Sequence, residues 1–515
     1  MASDFDILDV GNFRCVADYI YGGVGQFEEI KGITNIEEGC MLLAKHNTPN
    51  ERKLVHCDID MDGLGSGFIY KRFNQMLHSR ICTNYIINRD RVHGLDEERV
   101  AKINAYNPTF VIILDSSSNL INLIKKFTCD VLVVDHHNLD ASTLLELTGK
   151  TAGGEYVIVT NMADKSMPEN CTEQMSGAMV LYGLLYEFNK RYHIMDNFHD
   201  LKLEQWVAVT LFSDVIPVLN RRNQYFISTL LANKEIEPTL KALMTAVKAF
   251  RIDKSLINFK ISPLINSTVR AGASLKALHT ILYSPQSIVE LQTYRDIQKD
   301  ILAKAEGNPQ VYDDYLLLDI TNMDIPKGYA GVIASQLGDS YANKCVFVYE
   351  YLDNLCRGSF RGALKHVDYR QGFEKLGCFA QGHKGAFGLR IPPAYVHEYM
   401  AQVCDTENYT DNYYISLGYK TGGLYHIEDM KEFKRTGNLV KLAAINSRVT
   451  GKDELRIIYS GVVNEPQQYG KTFVYDICGL ECTAFEKLHS ETDIILYPEF
   501  TNEVRIFAKN IPKEN

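Results

Sequence analysis

His56, Asp58, Asp60 and Asp62 recur at every second position in His56-Cys57-Asp58-Ile59-Asp60-Met61-Asp62-Gly63. Side chains of a β-strand alternate faces, so for as long as a strand lasts these four point one way. Three carboxylates held that close repel one another, and burying them unpaired is costly. A divalent cation removes the conflict. Mixed carboxylate and imidazole donors suit Mn²⁺ or Mg²⁺ better than a thiolate-loving ion.

Three further acids end apolar runs. Phe110-Val111-Ile112-Ile113-Leu114 leads into Asp115, and Val131-Leu132-Val133-Val134 leads into Asp135-His136-His137. Leu211-Phe212-Ser213 leads into Asp214-Val215-Ile216-Pro217. The first two runs are short, continuous and β-branched, the pattern of strands buried on both faces of a parallel sheet. Ligand sites of open α/β sheets lie at the carboxyl ends of such strands. A lone Asp there is an N-cap or turn residue. Several acids and histidines, each closing an apolar run, together predict a metal site.

The elements that must position these residues follow from pattern. Residues 1–50 read as a lead-in. Residues 51–285 alternate apolar runs with helical segments, which predicts an α/β domain with a parallel sheet and crossover helices. The glycines of Gly63-Leu64-Gly65-Ser66-Gly67 open a helix and would let backbone N–H groups approach an anion. Residues 286–306 carry Ile288, Leu291, Tyr294, Ile297, Ile301 and Leu302 at helical spacing, which predicts a long linking helix. A second α/β unit spans 307–393. Residues 394–515 hold short runs rich in Tyr, Val, Ile and Thr, which predicts a β-rich C-terminal domain.

A chain of 515 residues exceeds one core. Its 46% hydrophobic and 23% charged residues are ordinary for a globular protein. No apolar run approaches the roughly 18 residues of a membrane span. The start Met1-Ala2-Ser3-Asp4-Phe5-Asp6 has no basic-then-apolar leader. The 12 cysteines are scattered without a Cys-x-x-Cys pair, so a zinc ribbon is not indicated and reduced thiols in cytoplasm are expected. A net charge of −10 argues mildly against nucleic acid as a partner. Locally, however, Arg357, Arg361, Lys365, Arg370, Lys375, Lys384 and Arg390 outnumber Asp368 and Glu374, an excess able to track a phosphate backbone.

These motifs resemble the DHH phosphoesterases, and within them the RecJ single-strand exonucleases. Asp58-Ile59-Asp60-Met61-Asp62-Gly63 resembles the family's first motif, Asp115 its second, Asp135-His136-His137 its third and Asp214-Val215-Ile216-Pro217 its fourth. Asn88-Arg89 with His93-Gly94-Leu95, and Ile261-Ser262-Pro263-Leu264-Ile265-Asn266 with Arg270, resemble RecJ segments. Gly358-Ser359-Phe360-Arg361 and Gln381-Gly382-His383-Lys384-Gly385 resemble the DHH-associated domain. The likeness runs over about residues 50–392. It departs at Ser116-Ser117-Ser118, where RecJ proteins usually have Cys-Gly, at Gln381 in the Gly-Gly-His signature, and at Gly362 after Arg361. His56 is similar instead to the branches acting on pyrophosphate or short oligonucleotides.

The resemblance implies a metal-dependent 5′→3′ exonuclease on single-stranded DNA, releasing 5′-mononucleotides. Two divalent ions, Mn²⁺ or Mg²⁺, would share Asp115 and activate water for in-line attack. Asp58, Asp60, Asp62, Asp115, His136 and Asp214 become the ligand candidates, with His56 the alternative to Asp58. Asp135 would orient His136, and His137 would meet the scissile phosphate or the leaving oxygen. Arg89, Arg270, Ser359, Arg361, Gly382 and His383 would hold the strand. An OB-type domain would follow in 394–515, though no motif marks one. The implied setting is DNA repair or recombination by a monomer, with a single-strand-binding protein or a helicase as partner. Two alternatives stand beside it: a phosphodiesterase of short oligonucleotides or cyclic dinucleotides, favoured by His56, and an inactive scaffold of a replication complex, disfavoured by the intact acids.

Overall fold

The computed structural model describes residues 30–405, apart from 89–92, 163–174, 215, 217–220, 233–234, 342–343, 364–366 and 384, and most of 457–510. Of the expected lead-in, residues 1–29 lie outside the described residues, and the helix Ile36–Lys45 precedes the first strand.

Residues 30–266 and 274–290 belong to one unit. Its sheet comprises β1 (Lys53–Cys57), β2 (Thr83–Ile87), β3 (Phe110–Leu114), β4 (Asp130–Asp135), β5 (Thr148–Lys150) and β6 (Glu155–Thr160). The spatial order is β2-β1-β3-β4-β6-β5, parallel except for the short edge strand β5. Every residue of β1, β3 and β4 is buried, as their unbroken apolar runs require. The chain leaves β1 towards β2 on one side and returns to β3 on the other. The sheet therefore reverses between β1 and β3, and Asp58 and Asp115 follow those two strands. Such a reversal opens a crevice at the strand ends.

The helix Met61–Asn74 begins almost as soon as β1 ends. Packing requires its glycines. A Cβ at Gly63 would lie 2.6 Å from the Asp58 backbone, and one at Gly67 would lie 2.6 Å from Cys57 Sγ. A Cβ at Gly65 would meet Thr210 at 2.5 Å, on the neighbouring helix Leu203–Ser213.

Lys53, at the opposite end of β1 from the acids, is buried beside the Tyr70 hydroxyl (3.4 Å) and Asn74 Oδ1 (3.5 Å). Burial pushes its ammonium down from 10.5 to about 8. Between those two values the unfolded chain binds more protons than the folded one, so stability should rise with pH across that window. Lys53→Met should remove this dependence and stabilise the protein at neutral pH by about 1–3 kcal/mol. Denaturant titrations at pH 7 and pH 10 check both. A destabilised variant would show that the lysine's contacts outweigh its desolvation.

Residues 267–273 and 291–405 belong to the second unit. Its sheet comprises β7 (Gln310–Val311), β8 (Tyr315–Asp319), β9 (Cys345–Leu352), β10 (Leu355–Arg361), β11 (Phe379–His383) and β12 (Ala386–Ile391), ordered β11-β12-β10-β9-β8-β7. The helix Ala330–Ser340 packs on one face through Ile333, Ala334 and Leu337. Tyr369 and Phe373 join the core on the other face. Two expected boundaries move. The linking helix is a 3-10 turn over Pro285–Leu291 followed by Gln292–Glu306, and its Ile301 and Ala305 lie in the second unit's core. Residues just beyond 394 are not β-rich. Val396–Cys404 is a helix whose Val396, Met400, Val403 and Cys404 are all core, an apolar stripe at helical spacing.

The C-terminal strands are β13 (Ile457–Tyr459), β14 (Gln467–Tyr469), β15 (Thr472–Ile477), β16 (Leu480–Ala484), β17 (Ile494–Phe500) and β18 (Val504–Asn510). They form a sheet ordered β13-β17-β18-β16-β15-β14. The region is β-rich, as its composition predicted. Among the described residues, no helix is long and apolar enough to cross a membrane.

Candidate metal centre

The acids converge by three routes. Asp58 extends β1, its amide bonding the Leu114 carbonyl at 3.1 Å. Asp60 and Asp62 are no longer on a strand. Asp60 caps the helix Met61–Asn74, accepting from the amides of Asp62 (3.1 Å) and Gly63 (3.0 Å). Asp62 lies in that helix's first turn and is fully buried. The two-residue spacing therefore places the acids together, but only Asp58 by the alternation of a strand.

Asp62 is held from across the site. Its Oδ2 accepts from the Gly177 amide at 2.6 Å and its Oδ1 from the Ala178 amide at 3.0 Å. These are the first residues of the helix Gly177–Tyr192, so the carboxylate caps a foreign helix. The sequence reading passed over this contact. Its signal was Ser176-Gly177, a capping residue followed by the one residue small enough. A Cβ at Gly177 would lie 2.3 Å from Asp115 Oδ1. Gly177→Ala should therefore displace that carboxylate and weaken Mn²⁺ binding about 10–100-fold, the scale for disturbing a ligand's support. Calorimetric titration reads this directly, and an unchanged affinity would mean that Asp115 has room to move.

Asp115 leaves β3 in the left-handed region (φ 64°) and Ser117 follows at φ 75°. Ser117 stands where the resemblance leads one to expect glycine, the residue that tolerates this backbone. Its hydroxyl compensates locally by accepting from the Leu95 amide at 3.1 Å. Asp115 itself is buried, and its Oδ1 accepts no hydrogen bond.

His136 Nδ1 lies 2.8 Å from the Met175 carbonyl. A carbonyl only accepts, so Nδ1 carries a proton; a neutral ring then presents the Nε2 lone pair, while without a cation, and against the effect of burial, the surrounding carboxylates raise the imidazole's pKa. Nε2 faces Asp115 Oδ1 (3.3 Å), Asp214 Oδ2 (3.4 Å) and Asp62 Oδ2 (3.7 Å). The orienting partner is thus Met175, not Asp135. Asp135 instead turns to His137 Nδ1 (2.7 Å) and to the amides of His136 (2.8 Å) and Ser118 (3.1 Å). Although burial opposes ionisation, the His137 contact and the neighbouring donors hold its carboxyl below the usual range. His137 is raised by the same hydrogen bond and is 56% exposed.

Donor atoms of Asp58, Asp60 and Asp115 lie within 4.8 Å of one another, as do those of Asp62, His136 and Asp214, and those of Asp115, His136 and His137. The first and third groups share Asp115. Burial, then mutual repulsion, pushes the carboxyls of Asp115 and Asp214 well up, and burial also raises those of Asp58 and Asp62. An unpartnered buried oxygen, an imidazole lone pair and crowded carboxylates fit a divalent oxygen-seeking cation.

His56 stands outside these groups. It is fully buried, its Nε2 3.3 Å from Asn88 Oδ1, and burial pushes it down to about 4. Asp58 receives a different histidine, His93 Nδ1, at 3.0 Å. The sequence reading named His93 in a motif and gave it no role.

Of the residues expected to hold a strand, Arg89 lies outside the described residues, and of His383 only the backbone, in β11, is described. Arg361 donates to Ser335 Oγ (3.0 Å), Ser359 Oγ (2.9 Å) and the carbonyls of Phe360 (2.7 Å) and Gly331 (3.2 Å). Its guanidinium is fixed by the fold and brings Ser359 to it. Gly382 lies in β11 at φ 138°, where a Cβ would crowd Phe387. Arg270 donates to Gln298 Oε1 at 3.1 Å. Arg357 pairs with Asp353 and Arg370 with Glu374, so part of the local basic excess is offset.

A parallel sheet with a reversal between β1 and β3 thus frames Asp58, Asp60, Asp62, Asp115, His136 and Asp214. Residues 53–201 match the DHH family, N-terminal domain. The whole fold is similar to RecJ from Thermus thermophilus in complex with Mn²⁺, at 18% identity over 97% of this chain and 76% of that one, with a TM-score of 0.66. The same protein with Mg²⁺ gives a TM-score of 0.63 at 18% identity, over 97% of this chain and 74% of that one. An exonuclease RecJ bound to manganese matches at 20% identity over 75% of this chain and 97% of that one, with a TM-score of 0.56. No curated protein gives a significant sequence match. Over residues 53–201 the chain is thus similar to the DHH family, and its fold is RecJ-like.

Proposed function

We propose that this protein is a divalent-metal-dependent phosphodiesterase acting on single-stranded DNA as a 5′→3′ exonuclease that releases 5′-mononucleotides. The observation that carries the reading is Asp115: a buried carboxylate without a hydrogen bond on Oδ1, shared by two groups of candidate ligands. Asp58, Asp60 and Asp115 would hold one Mn²⁺ or Mg²⁺, and Asp62, His136 and Asp214 a second. Bound there, the ions would polarise the phosphodiester and lower the pKa of water.

The chain's own residues supply the rest. Met175 keeps a proton on His136 Nδ1, so that the neutral ring offers Nε2 to a cation. Asp135, ionised, keeps a proton on His137 Nδ1 and favours the imidazolium, so the outward Nε2 can give its proton to the leaving oxygen. The fixed guanidinium of Arg361, with Ser359 and the Gly382 backbone, would bind a phosphate of the strand. Similarity to RecJ structures holding Mn²⁺ and Mg²⁺ supports these metals. The short-oligonucleotide reading leans on His56, which here is buried and turned to Asn88.

The test is digestion of 5′- and 3′-end-labelled single- and double-stranded DNA and of a dinucleotide, with Mn²⁺ and with chelator. Stepwise loss of mononucleotides from the 5′ end of single strands is expected. Faster turnover of the dinucleotide than of a long strand would overturn the proposal in favour of a short-substrate enzyme.

A further inference from the structure

This chain is acidic overall, yet one stretch runs the other way. Lys248, Arg251, Lys254 and Lys260 face a single acid between them, Asp253. That acid is engaged by the fold, its Oδ1 accepting from the Leu256 amide at 2.7 Å to cap the turn Lys254–Leu256. Among the described residues none of the four cations is in an ion pair. Lys248, Arg251 and Lys260 are exposed.

The same stretch puts two aromatic rings into solvent. Phe250 is fully exposed at 103% and Phe259 is 73% exposed. The backbone presents both. The helix Pro238–Ala246 ends, Lys248 turns at φ 55°, and the Ala249 amide bonds back to the Met244 carbonyl at 2.9 Å. Ile252 is then buried again, which leaves Phe250 and Arg251 outside. Ile257–Ile261 forms a π-turn in which both isoleucines are fully buried, so Phe259 and Lys260 are carried outward between them. Single π-turns within helices are frequent at functional sites.

We infer that the surface of Lys248–Lys260 binds single-stranded nucleic acid, with Phe250 and Phe259 stacking on bases and Lys248, Arg251 and Lys260 meeting phosphates. Aromatic faces interleaved with unpaired cations are how sequence-tolerant single-strand binders grip. The cations complement a phosphate backbone, and the two rings match the faces of bases. The inference rests on the nucleic-acid reading above and extends it: the metal centre would cut, and this surface would hold a longer strand.

The test uses the full chain with F250A/F259A and with K248Q/R251Q/K260Q. Anisotropy of labelled 4-mer and 20-mer single-stranded DNA is measured in chelator, and dinucleotide turnover is measured separately with Mn²⁺. Loss of two stacking rings should weaken 20-mer binding about thirtyfold or more. Loss of three cations should lower the salt slope by about two. The 4-mer affinity and dinucleotide turnover should stay unchanged. Unchanged 20-mer affinity in both variants overturns the inference, as does a 20-mer that the wild type does not bind. Polyglutamate competing as well as the 20-mer would also overturn it, by showing a surface that reads charge alone. Loss of 20-mer binding in the variants, with no hydrolysis of any substrate by the wild type, would leave this surface standing and remove the nuclease reading instead.

Discussion

Asp115→Ala should lower strand hydrolysis by about a thousandfold or more while the protein stays folded, the several-kcal/mol scale of metal-assisted charge stabilisation. The motivation is its membership of two groups of candidate ligands and its buried Oδ1 without a hydrogen bond. Without metal, burial and the neighbouring Asp62, Asp60 and Asp58 disfavour its charge, so removing it relieves repulsion in the metal-free state. Two measurements separate a lost ligand from a lost fold. Thermal unfolding of the metal-free variant should be no lower than that of the wild type. Mn²⁺ at a hundred times its dissociation constant should stabilise the wild type by about 2.7 kcal/mol and the variant far less. A folded Asp115→Ala protein with full activity would sink the shared-metal account.

Much of this centre could be read before any coordinates. The β-branched runs before Asp115 and Asp135 announced buried parallel strands, and the acids closing them announced a site at strand ends. What pattern could not supply was where each strand stopped. Period-two spacing placed His56 with Asp58, Asp60 and Asp62, but β1 ends at Cys57 and a helix has begun by Met61. Asp60 is therefore a cap and Asp62 a first-turn residue, and both reach the site by helix geometry. Contacts made by backbone were also hidden. The Met175 carbonyl that orients His136 and the Gly177 and Ala178 amides that hold Asp62 leave no mark in side-chain type. The resemblance gives Asp135 to His136, whereas the turn after β4 sends its carboxylate to the side chain of His137. The helix Val396–Cys404 was lost to a composition average taken over a β-rich tail.

His56 and Asp58 should give opposite results in metal titration. Both lie at the end of β1, two residues apart, and each has a partner from the segment that follows β2: Asn88 for His56, and His93 with Gly94 for Asp58. Asp58 shares a donor group with Asp60 and Asp115, and His56 enters none among the described residues. His56 is also held neutral by burial, and its Nδ1 has no hydrogen-bond partner. Asp58→Ala should thus weaken Mn²⁺ binding about a hundredfold and stop hydrolysis, the loss of a ligand exceeding that of its support. His56→Ala should leave metal affinity within about threefold. It should instead lower stability by about 1–3 kcal/mol, the cost of a buried void and of an Asn88 Oδ1 that loses its His56 contact. His56→Gln, which can still reach Asn88, should recover part of that stability. A severe metal defect in His56→Ala beside a near-normal Asp58→Ala would reverse the assignment. It would place an imidazole where this structure has a carboxylate, and with it the chemistry of enzymes that act on short substrates.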